Sequence, residues 1–223
     1  MRLVLSLGGS MVFDGKPRVD YIRKVASLVT GLKATVGVIV GGGTAARDYI
    51  AAAKEFGEDN FDLDWLATTV TWANARLCAP AFGGRFFYSI EDAGEWLLSA
   101  PGRTALLGGT HPNQTTDTVG AMLSEKIGAD RWVNLSNVAA VYDKDPKKFR
   151  DARKFSTMTH QELVQLATGL DKRGPGENFI IDTPAARVLA RSNIEAHFVN
   201  GSDLSQVRLA LQGKRHDGTV VKG

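Results

Sequence analysis

The chain has 223 residues, with 27 Lys+Arg against 24 Asp+Glu and a formal net charge of +3. So mild an excess is no nucleic-acid footprint unless it gathers on one face, and a hydrophobic content of 43% excludes disorder. The single cysteine, Cys78, excludes a disulfide framework and a cysteine-rich zinc site, and no apolar run reaches the roughly 18 residues of a membrane span.

Residues 2–7 (RLVLSL) form an apolar run closed by Gly8-Gly9-Ser10, which reads as a buried strand rather than a signal peptide. Residues 18–32 carry Val19, Ile22, Val25, Ala26, Val29 and Leu32 at helical spacing. A second strand, 35–40, is closed by Gly41-Gly42-Gly43, and a helix runs from Thr44 to about Phe56. Residues 57–64 (GEDNFDLD) read as an acidic loop before a helix from Trp65 to about Pro80, on whose apolar face Cys78 is an inert core residue. A short aromatic strand at 85–89 and a short helix at 91–98 follow. The strand 103–107 is closed by Gly108-Gly109-Thr110, and a loop leads into a helix from Thr115 to Ile127. The remaining elements are a strand at 131–135, a short strand at 139–142, helices at 159–168 and 182–192 around a Gly174-Pro175-Gly176 loop, and strands at 194–199 and 219–221. With no linker or composition break, the alternation predicts one α/β domain over 1–223, a three-layer α/β/α sandwich on a largely parallel sheet.

Glycine makes up 24 of the 223 residues, above the usual ~7%, and it gathers where apolar runs end. Strand, glycine turn and helix recur three times: at Leu7 to Ser10, at Val40 to Thr44 and at Leu107 to Thr110. Glycine lets a ligand approach the backbone, and the helix behind it offers unpaired N–H groups to an anion. Three such turns exceed the needs of one mononucleotide, whereas two phosphorylated ligands meeting head-on would use them all, as phosphoryl transfer requires. There is no Walker A motif. Gly41 to Ala46 do satisfy the dinucleotide pattern G-x-G-x-x-A, but its acidic partner belongs at the end of the next strand, and Asp62 and Asp64 precede a helix instead.

Arg47 sits in the first turn of its helix, where a cation opposes the dipole and a phosphate partner would explain it. Asp117 stands at another helix start, where a carboxylate is favoured in any case, and Thr115 and Thr116 either cap that helix or donate to phosphate. Tyr142 is a core aromatic or a purine platform, and Lys144, Lys147 and Lys148 form a basic face of which one could reach a phosphate. His111, His160, His197 and His216 lack ligand spacing, so no protein metal site is expected.

Taken in order, Leu7 to Ser10, Val40 to Ile50 (VGGGTAARDYI), Gly108 to Asp117 (GGTHPNQTTD), Asn137 to Lys148 (NVAAVYDKDPKK), Ile181-Asp182 through Ser192 and the terminal Asp217-Gly218-Thr219 resemble the amino acid kinase superfamily, specifically its archaeal-type uridylate kinases. The resemblance spans nearly the whole chain, and the THPxxTTD loop is its most specific element. It implies transfer of the γ-phosphate of ATP, with Mg²⁺, to UMP in pyrimidine nucleotide biosynthesis. It also implies a cytoplasmic homohexamer, a trimer of dimers joined near residues 65–80 and 18–32, with no nucleic-acid or membrane partner.

Carried over by residue, Arg47 and Asp117 are the catalytic candidates. Gly42, Asp64, Thr110, His111, Pro112, Asn113, Gln114, Thr115 and Thr116 would bind UMP. Gly9, Ser10, Gly43, Arg47, Ser136, Asn137, Tyr142 and Asp145 would bind ATP, whose site lies mainly beyond about residue 130. Ala139-Ala140 replace the usual Asp-Gly, and Asn113-Gln114 the usual Gly-His. Ser6 stands where bacterial relatives carry a lysine. A nucleotide-binding sensor with lost catalysis, or another small-molecule kinase of the superfamily, is the rival reading.

Overall fold

The computed structural model describes residues 1–146, 148–170 and 181–223, so Lys147 and the Gly174-Pro175-Gly176 loop lie outside the described residues. The described chain runs β1 (Arg2–Leu7), α1 (Gly9–Val12), β2 (Phe13–Asp14), β3 (Lys16–Pro17), α2 (Val19–Thr30), β4 (Thr35–Val40), α3 (Gly43–Glu55), α4 (Asn60–Cys78), β5 (Arg85–Phe86) and α5 (Ile90–Leu98). It continues through β6 (Thr104–Leu107), α6 (Thr116–Ile127), β7 (Arg131–Ser136), β8 (Thr157–Met158), α7 (His160–Leu170), α8 (Thr183–Arg191), β9 (Glu195–Asn200), α9 (Leu204–Leu211) and β10 (Thr219–Val221).

Among the described residues eight strands form one sheet in the order β5-β6-β4-β1-β7-β9-β10-β8, parallel throughout except where β10 runs against β9. Alternation along each strand sends side chains to two cores. Leu3, Leu5 and Leu7 of β1, with Val36, Val38 and Val40 of β4, join α2, α4 and α9 on one face. Val4 and Ile39 join α5, α6, α7 and α8 on the other. This is the expected three-layer α/β/α sandwich, and Cys78 is buried within it, its thiol pushed up to about 12 by burial.

Several boundaries differ from the sequence reading. The acidic stretch 57–64 is not all loop: α4 begins at Asn60, because the Asp59 carboxylate caps it by accepting from the Asp62 amide at 3.0 Å. Asp62 and Asp64 are therefore helical, which removes the dinucleotide-binding reading. The aromatic strand shrinks to Arg85–Phe86, and 139–142 is no strand but a single bridge from Tyr142 to Lys154. Helix α9, absent from the sequence reading, follows the Asp203 cap and buries Val207, Ala210 and Leu211.

The C-terminal strands are held by a directional chain of hydrogen bonds. The Gly218 amide donates to His216 Nδ1 at 3.0 Å, so His216 carries its proton on Nε2 and donates to His197 Nδ1 at 2.7 Å. His197 Nε2 then donates to Glu195 at 2.7 Å, and the same carboxylate oxygen accepts from Arg131 Nε at 2.8 Å. Both rings are neutral in this arrangement. Next to it, the Thr219 hydroxyl accepts from the Val141 amide at 2.9 Å and donates to the Phe155 carbonyl, tying β10 to the segment that carries Tyr142.

Candidate active site

Strands β6, β4, β1 and β7 are consecutive and parallel, so their C-terminal ends lie on one rim. The three glycine turns follow β6, β4 and β1, and Ser136-Asn137 follows β7. The bends thus share one edge, where open α/β sheets bind ligands. The first two turns touch backbone to backbone. A Cβ on Gly9 would stand 2.0 Å from the Gly43 nitrogen; one on Gly43, whose φ is +69°, would stand 2.6 Å from the Gly9 oxygen. Part of the glycine requirement is therefore packing between turns. Gly43 and its neighbours still begin α3, whose first amides lack intrahelical partners.

The third turn behaves differently. The Gly109 amide donates to Thr71 Oγ1 at 2.7 Å, so it is spent on α4 and does not serve as an anion donor. Gly109 instead floors a cavity of about 700 Å³. Arg47, Asp64, His111, Asn113, Gln114, Thr115 and Thr116 line it, as do Lys54, Asn60, Thr68 and Thr71, which the sequence reading missed. Arg47, Ile50, Ala51 and Lys54 follow helical spacing along α3, so one face of that helix brings two cations to the cavity. That spacing was the available signal for Lys54.

The loop over this cavity is held by its own side chains. Asp64 Oδ2 accepts from the Asn113 amide at 2.8 Å, and Asn113 takes a left-handed φ of +59°, which asparagine tolerates where the family pattern has glycine. Thr110 Oγ1 donates to Gln114 Oε1 at 2.9 Å, bracketing His111 and Pro112. Pro112, Thr110 and Asp117 lie outside the cavity lining.

Asp117, in the first turn of α6, sits over the sheet instead. Its Oδ1 accepts from Ser6 Oγ at 2.5 Å and from Asn134 Nδ2 at 3.0 Å. Ser6 and Asn134 are register partners on β1 and β7, polar residues next to the buried Val4 and Trp132 on the α6-facing side. That break in pattern was their signal. Burial, reinforced by the charge of Asp182, raises Asp117 from an ordinary 3.8 to about 7. Asp182 is itself buried and caps α8 by accepting from the Ala185 amide at 2.9 Å. It also accepts from Thr118 Oγ1 at 2.6 Å and from the hydroxyl of Thr115, the cap of α6. Two helix N-termini thus meet over the rim. Thr115 is a cap and not the first helical residue.

On the far side of β1, Ser136 Oγ accepts from the Val138 amide at 3.1 Å, forming a tight turn that leaves Asn137 exposed. Tyr142 is half-buried, and the Asp145 carbonyl accepts from the amides of Lys148 and Phe149 at 3.1 and 2.9 Å. Ala139 is exposed and Ala140 fully buried, so only the former departs from the family pattern at the surface. Ser10, Gly9, Gly42 and Gly43 lie between this side and the cavity.

A model of the amino acid kinase family matches residues 1–200. The chain belongs to that family. Among amino acid kinases it is 35% identical to the uridylate kinase of Thermococcus kodakarensis over the full length of both chains. It is 36% identical to that of Methanothermobacter thermautotrophicus, over 99% of each. The crystal structure of uridylate kinase from Archaeoglobus fulgidus superposes with a TM-score of 0.83 at 32% identity, covering 99% of this chain and all of that one. The UMP kinase of Bacillus anthracis shares the fold, with a TM-score of 0.82 over 99% of this chain and 95% of that one, at 19% identity.

Proposed function

We propose that this amino acid kinase transfers the γ-phosphate of ATP to UMP, giving ADP and UDP. The observation that carries the reading is the order along one rim: the 110–116 loop and its cavity, the two abutting glycine turns, then Ser136-Asn137. A nucleoside monophosphate in the cavity and a triphosphate lying from β7 toward Gly9 would meet phosphate to phosphate. The N-terminal part then serves mainly the acceptor and the part beyond about residue 130 mainly ATP, within one domain.

The acceptor is already an anion, so no strong base is needed; positioning and charge neutralisation are. Asp64, His111, Asn113 and Gln114 enclose the base and ribose of UMP, Thr110 and Pro112 brace that loop from outside the cavity, and Thr115 and Thr116 line the way to the phosphate. Arg47, with Lys54 two turns on, supplies the positive charge that Ser6 cannot. Gly42 and Gly43 at the head of α3 hold the meeting phosphates, and Gly9 and Ser10 hold those of ATP. Ser136, Asn137, Tyr142 and Asp145 hold its nucleoside.

Among the described residues no three His, Cys, Asp or Glu side chains form a metal cage. Asp182 spends both oxygens on protein donors, while no described protein group donates to Oδ2 of Asp117. One open carboxylate oxygen suits a Mg²⁺ that keeps its phosphate and water ligands. When bound, the ion neutralises charge on the β- and γ-phosphates.

UMP-dependent ADP formation, measured with Mg²⁺ against CMP, carbamate and isopentenyl phosphate, tests the assignment. No turnover with UMP, or equal turnover with the others, overturns it; calorimetric binding of both nucleotides without turnover would leave a sensor. Exposed Val19 on α2 and Phe61 and Leu77 on α4 support assembly into a homohexamer, a trimer of dimers, which a light-scattering mass would refute by showing a monomer. No described helix is long and apolar enough to cross a membrane, in keeping with work in the cytoplasm.

A further inference from the structure

Helix α4 holds three parts of the rim, the 110–116 loop, Gly109 and the second glycine turn, with four side chains. Asp64 accepts from the Asn113 amide. Seven residues on, Thr71 Oγ1 donates to the Thr68 carbonyl at 2.6 Å and accepts from the Gly109 amide at 2.7 Å, so its buried hydroxyl is used in both directions. Trp72 Nε1 donates to the Gly109 carbonyl at 2.7 Å. Both polar backbone groups of Gly109 are thus tied by adjacent side chains. One turn later, Asn74 Nδ2 donates to the carbonyls of Gly41 at 2.9 Å and Gly42 at 3.1 Å. From Asp64 to Asn74 the helix rises about 15 Å, enough to span from the loop to the second glycine turn.

Nothing in the packing alone calls for this. A valine at position 71 would match threonine in volume and bury as well, and a phenylalanine at 72 would still turn an aromatic ring toward Tyr88 and Trp65, which the indole meets edge-on at 4.9 and 6.1 Å. What only a hydroxyl and an indole N–H do here is set the orientation of the Gly109 peptide in the cavity floor. We infer that Thr71, Trp72 and Asn74 are positioning residues for the phosphoryl transfer, Thr71 and Trp72 for the acceptor alone and Asn74 for the junction between acceptor and donor. This rests on the reading of the cavity as the acceptor site.

The test uses full-length Thr71→Val, Thr71→Ser, Trp72→Phe and Asn74→Asp, with KM for UMP and for ATP, kcat, and calorimetric Kd for UMP. Each lost buried hydrogen bond is expected to raise KM and Kd for UMP about fivefold to tenfold in Thr71→Val and Trp72→Phe, with KM for ATP within about twofold of wild type. Thr71→Ser keeps the hydroxyl and restores wild-type values. Asn74→Asp sets a carboxylate against two carbonyls and lowers kcat while raising both KM values. If Thr71→Val and Trp72→Phe shift UMP and ATP constants equally, or lower only the melting temperature, the positioning role is wrong. Should Thr71→Val not fold, Trp72→Phe, which keeps an aromatic ring without the N–H, decides between these outcomes. Absence of UMP turnover in the wild type strikes the functional reading itself, whereas normal wild-type turnover with unaltered variants strikes only this inference.

Discussion

Replacing Asp117 by asparagine separates stability from activity. Both donors to this carboxyl, Ser6 and Asn134, use Oδ1, so an asparagine oxygen placed there keeps both bonds. What it removes is a partly buried negative charge beside Asp182. Raising an aspartate from 3.8 to about 7 corresponds to an upper limit of about 4 kcal/mol. Because Asp182 carries part of that effect, a gain of about 1–3 kcal/mol for Asp117→Asn at pH 8 is the working figure. A folded-state value above the unfolded one means the folded chain binds this proton more tightly. The resulting stability is complete below about pH 4 and is lost as pH rises to 7. Asp117→Asn therefore melts higher than wild type at pH 8, by about 2–4 °C per kcal/mol at this chain length, and the gap narrows to less than half by pH 5 and closes near pH 4. Thermal melts of the nucleotide-free protein at both pH values measure this, alongside kcat, which falls. A variant no more stable than wild type at pH 8, or a gap as wide at pH 5 as at pH 8, refutes the account of Asp117 as a carboxylate whose charge the fold disfavours.

Arg47→Ala should lower kcat by a factor of about 100 or more, since it removes a cation from the cavity that no neighbouring strand replaces; near-wild-type turnover would take Arg47 out of the mechanism. Gly43→Ala should abolish turnover and destabilise the chain, because its Cβ would meet the Phe13 oxygen at 2.4 Å from a left-handed backbone; an active, stable variant would show that the turns do not abut. Acid should loosen the C-terminal strands. Burial, then the neighbouring His197, lowers His216 from 6.5 to about 4, so its stabilising effect is full above pH 6.5 and lost as pH falls toward 4. His216 is half-buried, and solvent screening leaves about 1–2 kcal/mol; His216→Gln, melted across that range, should flatten the pH dependence, and an unchanged slope would contradict the hydrogen-bond chain.

Most of the architecture was legible in the order of residues because its signals are local. An apolar run of six closed by glycine marks β1 and β4, and 3.6-residue spacing marks α2 and α6. Misread elements were those where local signals compete: α4 starts inside an acidic stretch because Asp59 caps it, and the aromatic run after Gly84 pairs for only two residues. The loop and Arg47 could be picked out by motif, and they do converge on one cavity.

What no local pattern contains is which side chain meets which across the sheet. Ser6, Asp117, Asn134 and Asp182 are up to 176 positions apart in the chain, yet strand register and the meeting of two helix N-termini put them in one polar cluster. The third glycine turn looked like another anion nest, and only packing against α4 reveals that Thr71 occupies its amide. Backbone propensity and periodicity are properties of neighbours along the chain, so the sequence by itself determined the strands, helices and turns. Hydrogen-bond partners and buried charges depend on how those pieces stack, and that was decided by the tertiary structure alone.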